Sequence, residues 1–268
     1  MVVQFTKILS LMIFTSGVSA QVVETDFMVI AHRGYSSVAP ENTLSAIKEA
    51  VKIGANYIEV DVHLSRDGEI VVIHDESIDR TTNGTGRVED LPLDELKTYD
   101  AGGWFSPRHQ GEAIPTLDEV FQAVPKGTKI IVEIKEGRSR YQGIEDKIIS
   151  SADVRGRRDD IILKAFNEDI LHTAEQLAPD IPRLLVYVFG FGVDSFSGEF
   201  LQHHRWFFNR RSLNRLQSAD FKVIVWHVND RDDMQRLVDW GVDGIETDHP
   251  NVLLDVLRDS GRVTGNSH

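Results

Sequence analysis

Glu59 and Asp61 occupy alternate positions in the apolar run Tyr57 to Leu64, and alternation along a strand sends both carboxylates to one face. Two acids side by side repel unless a cation lies between them, and hard ions such as Mg²⁺ or Ca²⁺ take carboxylate oxygens. The polar turn Ser65-Arg66-Asp67-Gly68 and the β-like run Glu69 to Asp75 predict a hairpin. Pairing about that turn brings His74 near Asp61. A carboxylate pair beside an imidazole outlines a metal-assisted hydrolytic site. Taken singly, Glu59 or His74 would pass for a solvated acid or an ordinary surface histidine; the other parts of an anion site give them weight.

The elements that must position these groups follow a βα rhythm. Strands are expected at 27–33, 57–64, 129–135, 160–166, 183–188, 206–209, 222–228 and 244–247, with helices between most of them. Thr116 is expected to cap a helix over 116–124, with Glu119 completing a capping box. Eight strands in about 250 residues is the rhythm of a TIM barrel, whose active site is built at the C-terminal ends of its strands. His32 and Arg33, Glu59 and Asp61, Glu133 and Lys135, and Trp226 and Asp248 all fall at such ends. A doubly wound sheet is the alternative, but no Gly-rich nucleotide loop follows the first strand. Residues 76–113, rich in Gly, Thr and Asp, interrupt the rhythm after the second strand and are expected to form an inserted cap over the site.

Composition sets further bounds. The 268 residues are 41% hydrophobic and 26% charged, as expected for one larger globular domain. A net charge of −13 argues against nonspecific nucleic-acid binding through a basic surface, and requires that an anionic ligand be held by local cations or a metal. No cysteine is present, so no disulfide framework is available. Residues 1–20 combine Lys7, a short apolar run and a Val18-Ser19-Ala20 ending, the layout of a secretory signal peptide. The expectation is cleavage after Ala20, a mature domain over 21–268 with no membrane anchor, and export to the periplasm or the exterior. Residues 189–205, His203 and His204 included, and the run Arg155, Arg157 and Arg158 read as a loop and a solvated face.

HRG at 32–34, PENT at 40–43, IEVDVHLSRDGEIVVIHD at 58–75, DRTTNGTG at 79–86, IPTLDEV at 114–120, VEIK at 132–135, WHVND at 226–230 and GIETDHP at 244–250 occur in this order. Together they resemble the glycerophosphodiester phosphodiesterases across nearly the whole mature chain. The resemblance implies a TIM barrel with a cap inserted after the second strand. It also implies one divalent metal, Ca²⁺ or Mg²⁺, on Glu59, Asp61 and Glu133, with His32 and His74 as general acid and base. Arg33 looks like the phosphate-binding arginine and Lys135 like a second cation; Glu41 and Asn42 would orient neighbours, and Trp226 would close the mouth. His227 and Glu246 depart from the family's common form and are expected to lie clear of the catalytic set. The implied substrate is a small glycerophosphodiester, released as sn-glycerol 3-phosphate and an alcohol. A lysophospholipase D on the same barrel is the competing enzyme, and a non-catalytic phosphodiester receptor is the competing reading from another class.

Overall fold

Strand alternation decides this architecture, because each barrel strand offers one face to its helices and the other to the barrel axis. In the computed structural model, which describes residues 25–187 and 196–263, eight parallel strands close into a barrel. They are β1 (Met28–Ala31), β2 (Tyr57–Leu64), β4 (Lys129–Ile134), β5 (Ile161–Ala165), β6 (Arg183–Tyr187), β7 (Phe200–His204), β8 (Lys222–Trp226) and β9 (Gly244–Thr247). β1 pairs with both β2 and β9, which closes the ring. The short β3 (Ile70–Val72) runs antiparallel on β2 with Val62 opposite Val72, the expected hairpin. Its turn passes through Gly68 at φ +81°, a conformation that only glycine adopts without strain.

The outward faces of the strands, Val29, Ile58, Val60, Val132, Leu163, Val223 and Ile245 among them, pack under the helices as the main core. Those helices are α1 (Leu44–Lys52), α3 (Leu117–Ala123), α4 (Ile144–Arg155), α5 (Glu168–Leu177), α6 (Arg210–Gln217), α7 (Arg231–Trp240) and α8 (Pro250–Asp259), while α2 (Leu93–Leu96) is a single turn. α3 starts on the expected capping box of Thr116 and Glu119. Inside the barrel, Met28, Ile30, Ile131, Ile162, Leu184, Val186, Phe200 and Ile224 form a separate apolar plug. Residues 76–113 contribute no barrel strand; Ile78, Val88, Leu96 and Ala101 pack with Val71, Ile73 and Ile114 into a third, small core against β3. Among the described residues, no helix is long and apolar enough to cross a membrane.

Three local expectations are corrected. The seventh barrel strand is Phe200–His204, and Arg205–Phe207 is a 3-10 turn that leaves Trp206 exposed. Phe200, Leu201 and the buried His203 supply the strand's packing, and the ring of His203 donates to the His204 carbonyl, so these histidines are not a solvated loop. Arg157 is buried rather than solvated. Gly156, left-handed at φ +61°, turns the chain so that the Arg157 guanidinium reaches the carbonyls of Val124 at 3.1 Å and of Pro125 and Thr128 at 3.3 Å. Residues 1–20, Gly190, Phe191 and Gly192 lie outside the described residues.

Candidate active site

The strand register places Asp61 opposite Glu133, and Glu133 opposite Lys164, at the C-terminal end of the barrel interior. Glu59, Asp61 and Glu133 are all buried, and one oxygen from each lies within 4.8 Å of the others. Their charge is met by three cations. The Lys164 ammonium sits 2.9 Å from Glu133, 3.0 Å from Glu246 and 3.3 Å from Glu59. Lys135 lies 3.0 Å from Asp61 and also pairs with Glu133. Arg33 approaches Asp61 at 3.3 Å through Nε and Glu41 at 2.6 Å through Nη1, while its backbone N–H donates to Glu59 at 2.9 Å. Asn42 holds Asp61 from both sides: its amide donates to the carboxylate at 2.8 Å, and its carbonyl oxygen accepts from the Asp61 backbone N–H at 3.2 Å.

The two most buried carboxylates of this set, Glu59 and Asp61, respond differently to burial. Glu59 is pushed up to about 7, chiefly by burial and then by its acidic neighbours, against the pull of Lys164. Burial also opposes ionisation of Asp61, but Lys135, Arg33 and His74 outweigh it and hold that carboxyl well below the usual range. An all-oxygen donor set with a buried carboxyl short of compensating charge suits a hard divalent cation.

Two histidines flank the cage, each held by a carboxylate. His32 donates through Nδ1 to Asp248 at 2.7 Å; Asp248 also accepts from Ser36 at 2.9 Å and from Asn229 at 2.7 Å. His74 donates through Nδ1 to Asp75 at 2.6 Å. In both rings Nε2 is thereby left as the nitrogen available for proton transfer. Burial works against the His32 imidazolium, but Asp248, Glu246 and Glu59 raise it overall, whereas burial lowers His74 despite the nearby Asp61. A cleft of about 380 Å³ lined by His32, Arg33, Glu41 and Asp248 opens beside the first histidine. The Trp226 ring sits edge-on to Phe166 at 5.7 Å and to His204 at 5.1 Å, and Lys135 lies 5.9 Å over Phe166. A larger cavity, about 560 Å³, lies by the Gly68 turn and helix α4 and contains none of these groups.

Residues 32–252 match the glycerophosphoryl diester phosphodiesterase family. The chain belongs to that family. A glycerophosphodiester phosphodiesterase from Caldanaerobacter subterraneus subsp. tengcongensis is 40% identical over 87% of this chain and 99% of its own length. One from Bacillus subtilis is 30% identical over 84% and 85%. Among solved structures, an Oleispira antarctica phosphodiesterase in complex with the product sn-glycerol-3-phosphate superposes with a TM-score of 0.76 at 30% identity, covering 85% of this chain and 96% of the other. A glycerophosphodiester phosphodiesterase from Agrobacterium tumefaciens gives 0.72 at 28% identity, over 84% and 98%. The expectations of a glycerophosphodiester phosphodiesterase and of a TIM barrel are borne out.

On this glycerophosphodiester phosphodiesterase barrel, Arg33, Glu59, Asp61, Glu133 and Lys135 converge on one cage, with His32 and His74 beside it and Trp226 at its aromatic flank. Lys164 was missed by the sequence reading. The visible cue was a lone lysine inside the apolar run Ile161 to Ala165 at an inward position, which needs the register with Glu133 to be interpreted. His63 was also missed: buried and neutral, it accepts from the Tyr141 hydroxyl and donates to the His74 carbonyl at 3.1 Å, fixing the backbone that carries the second histidine. His227 and Glu246 do not lie clear of the site. His227 faces His32 with 2.8 Å between the Nε2 atoms, and Glu246 binds the same lysine as Glu59 and Glu133.

Proposed function

We propose that this chain hydrolyses small glycerophosphodiesters, such as glycerophosphocholine and glycerophosphoethanolamine, to sn-glycerol 3-phosphate and an alcohol. The observation that carries the reading is the convergence of three buried carboxylates and three cations between two histidines, each with its Nδ1 tied to an aspartate. Glu59, Asp61 and Glu133 would hold one divalent ion, Ca²⁺ or Mg²⁺, which supplies Lewis acidity toward a nonbridging phosphate oxygen. Arg33 and Lys135 supply fixed positive charge for the phosphate and for the charge that builds in the transition state. His74, lowered by burial, begins as the base and takes a proton at Nε2 from the attacking water, or from the substrate's own glycerol hydroxyl with water then opening the cyclic phosphate. His32, raised by its acidic neighbours, begins as the acid and delivers a proton from Nε2 to the departing alkoxide. Asp75 and Asp248 keep the two rings oriented throughout.

Residues 76–113 act in this reading as a cap beside the mouth, anchored by Arg80, which donates to Glu41 and to Asp75. The signal-like residues 1–20 support export. The test is release of glycerol 3-phosphate from both substrates by the purified protein, with chelator and then with Ca²⁺ or Mg²⁺ restored. The expected result is turnover of both substrates that stops with chelator and returns with one of the ions. Turnover of a lysolipid alone would replace the reading with the lipid-directed enzyme.

A further inference from the structure

We propose that His32, His227 and Glu246 form a second metal site, of different chemistry from the carboxylate cage, that takes a transition ion such as Zn²⁺ and takes His32 out of acid-base service when filled. The three residues come from adjacent strands: His32 follows β1, Glu246 lies on β9 and His227 follows β8. One donor atom from each falls within 4.8 Å of the others. The Nε2 atoms of His32 and His227 are 2.8 Å apart, and His227 Nε2 is 3.6 Å from Glu246 Oε1. Ligands at zinc bond lengths and tetrahedral angles stand about 3.4 Å apart. The two observed edges bracket that spacing, and opening the histidine pair by about 0.5 Å would seat an ion.

The surroundings are those of a built site. The outer ring nitrogen of His32 is already tied to a carboxylate, Asp248, which is itself held by Ser36 and Asn229. Such a partner orients a histidine ligand and strengthens it. Lys164 steadies Glu246 through Oε2 at 3.0 Å and Oε1 at 3.2 Å, and Oε1 is also the oxygen turned toward His227, so a bound ion would share it with the ammonium. His227 keeps 30% of its side chain exposed, which gives an ion a way in, whereas His32 and Glu246 are buried. Two imidazoles and one carboxylate favour zinc, nickel or copper, whereas Glu59, Asp61 and Glu133 offer oxygen alone and favour calcium or magnesium. Loading the site displaces the proton shared between the two facing rings into solvent. It also consumes the lone pair of the His32 nitrogen that Asp248 leaves open.

The inhibitory half of this inference rests on the acid-base role proposed for His32; the binding half does not. The test titrates Zn²⁺ into the full chain in excess Mg²⁺ against a chromogenic chelator, and follows glycerophosphocholine turnover in parallel. The expected result is one zinc per chain that magnesium does not displace, bound at least about tenfold more weakly in His227→Gln and in Glu246→Gln. Zinc should also lower turnover at least about a hundredfold, the low side of what losing one acid-base group costs. That ratio is read within each variant, so a change in a variant's own rate cancels. His227 is partly exposed, so H227Q decides the matter if E246Q does not fold. Zinc that magnesium displaces, or that binds both variants as tightly as the parent, overturns the site. Tight, variant-sensitive binding without inhibition overturns the inhibitory half. Absence of diesterase activity with every ion would overturn the proposed reaction, while the zinc titration would still decide the site.

Discussion

The two ends of the barrel interior are lined from the same strands by the same alternation, yet they have opposite chemistry. At the N-terminal end, Met28, Ile30, Ile131, Ile162 and Ile224 close the barrel with aliphatic side chains. Two residues further along the same strands, the inward positions are Glu133 after Ile131 and Lys164 after Ile162. The apolar end is held by dispersion and the exclusion of water, which any well-packed hydrophobic set of the right volume supplies. The charged end is held by mutual compensation, so each group depends on its neighbours. Buried ion clusters contribute little net stability, and replacing the whole set with hydrophobic residues would often be neutral or stabilising. Their presence at one end only therefore supports placing the proposed chemistry at that end.

The comparison is sharpened most by His74→Ala at the rim of the charged end. Turnover should fall by about 10²–10⁴-fold, the usual contribution of one acid-base group, with the unfolding midpoint nearly unchanged. A variant at full rate would remove His74 from the reaction. Next come two substitutions one layer apart. Lys164→Met strips the ammonium shared by Glu59, Glu133 and Glu246 and should cost about 3–5 kcal/mol in chelator. Part of that loss should return on adding Ca²⁺ or Mg²⁺, because an ion that binds only the folded cage stabilises it by mass action. Ile131→Ala leaves a cavity in the apolar plug and should cost about 2–5 kcal/mol. Restoring the ion should do no more for it than for the parent protein. Urea unfolding with and without the ion measures both, and an equal response from the two variants would erase the distinction between the ends.

Most of the barrel was legible because its signals are local. The run Tyr57 to Leu64, the Ser65 to Gly68 turn and the Thr116–Glu119 capping box declare strand, hairpin and helix start within a few residues. The seventh strand was not legible in that way. The run Trp206 to Asn209 looked like a strand, but a strand with polar inward positions such as Gln202 can be recognised only once its neighbours β6 and β8 are in place. The site divides along the same line. Glu59 and Asp61 alternate within one strand, and Glu133, His32 and His74 stand at or just past strand ends, all in chain order. The partnerships of Lys164 with Glu246 and of His227 with His32 join strands 82 and 195 residues apart in sequence, and neither spacing nor periodicity carries them.

The smallest expected effect on stability comes from the ion network outside the barrel, where Arg80 bridges Glu41 and Asp75. The Arg80 hydrogen bond, with help from His74 and against partial burial, lowers Asp75 to about 2. The shift is downward from the ordinary carboxylate value, so the stability it confers is fully present above about 3.9 and is lost as pH falls through about 2. Glu41 is lowered as well: burial opposes the shift, and Arg80 and Arg33 outweigh it. Asp75→Asn should therefore flatten the acid side of the stability profile. At neutral pH it should cost less than about 1 kcal/mol, because the pair is partly exposed and screened. Thermal melts at low and high salt separate the two kinds of electrostatics. The Asp75→Asn loss should shrink in high salt, whereas the Lys164→Met loss, shielded from solvent ions by the barrel wall, should persist. A Lys164→Met penalty that salt erased would mean that water and ions reach the cage freely, and the contrast between interior and rim would then be one of position rather than of desolvation.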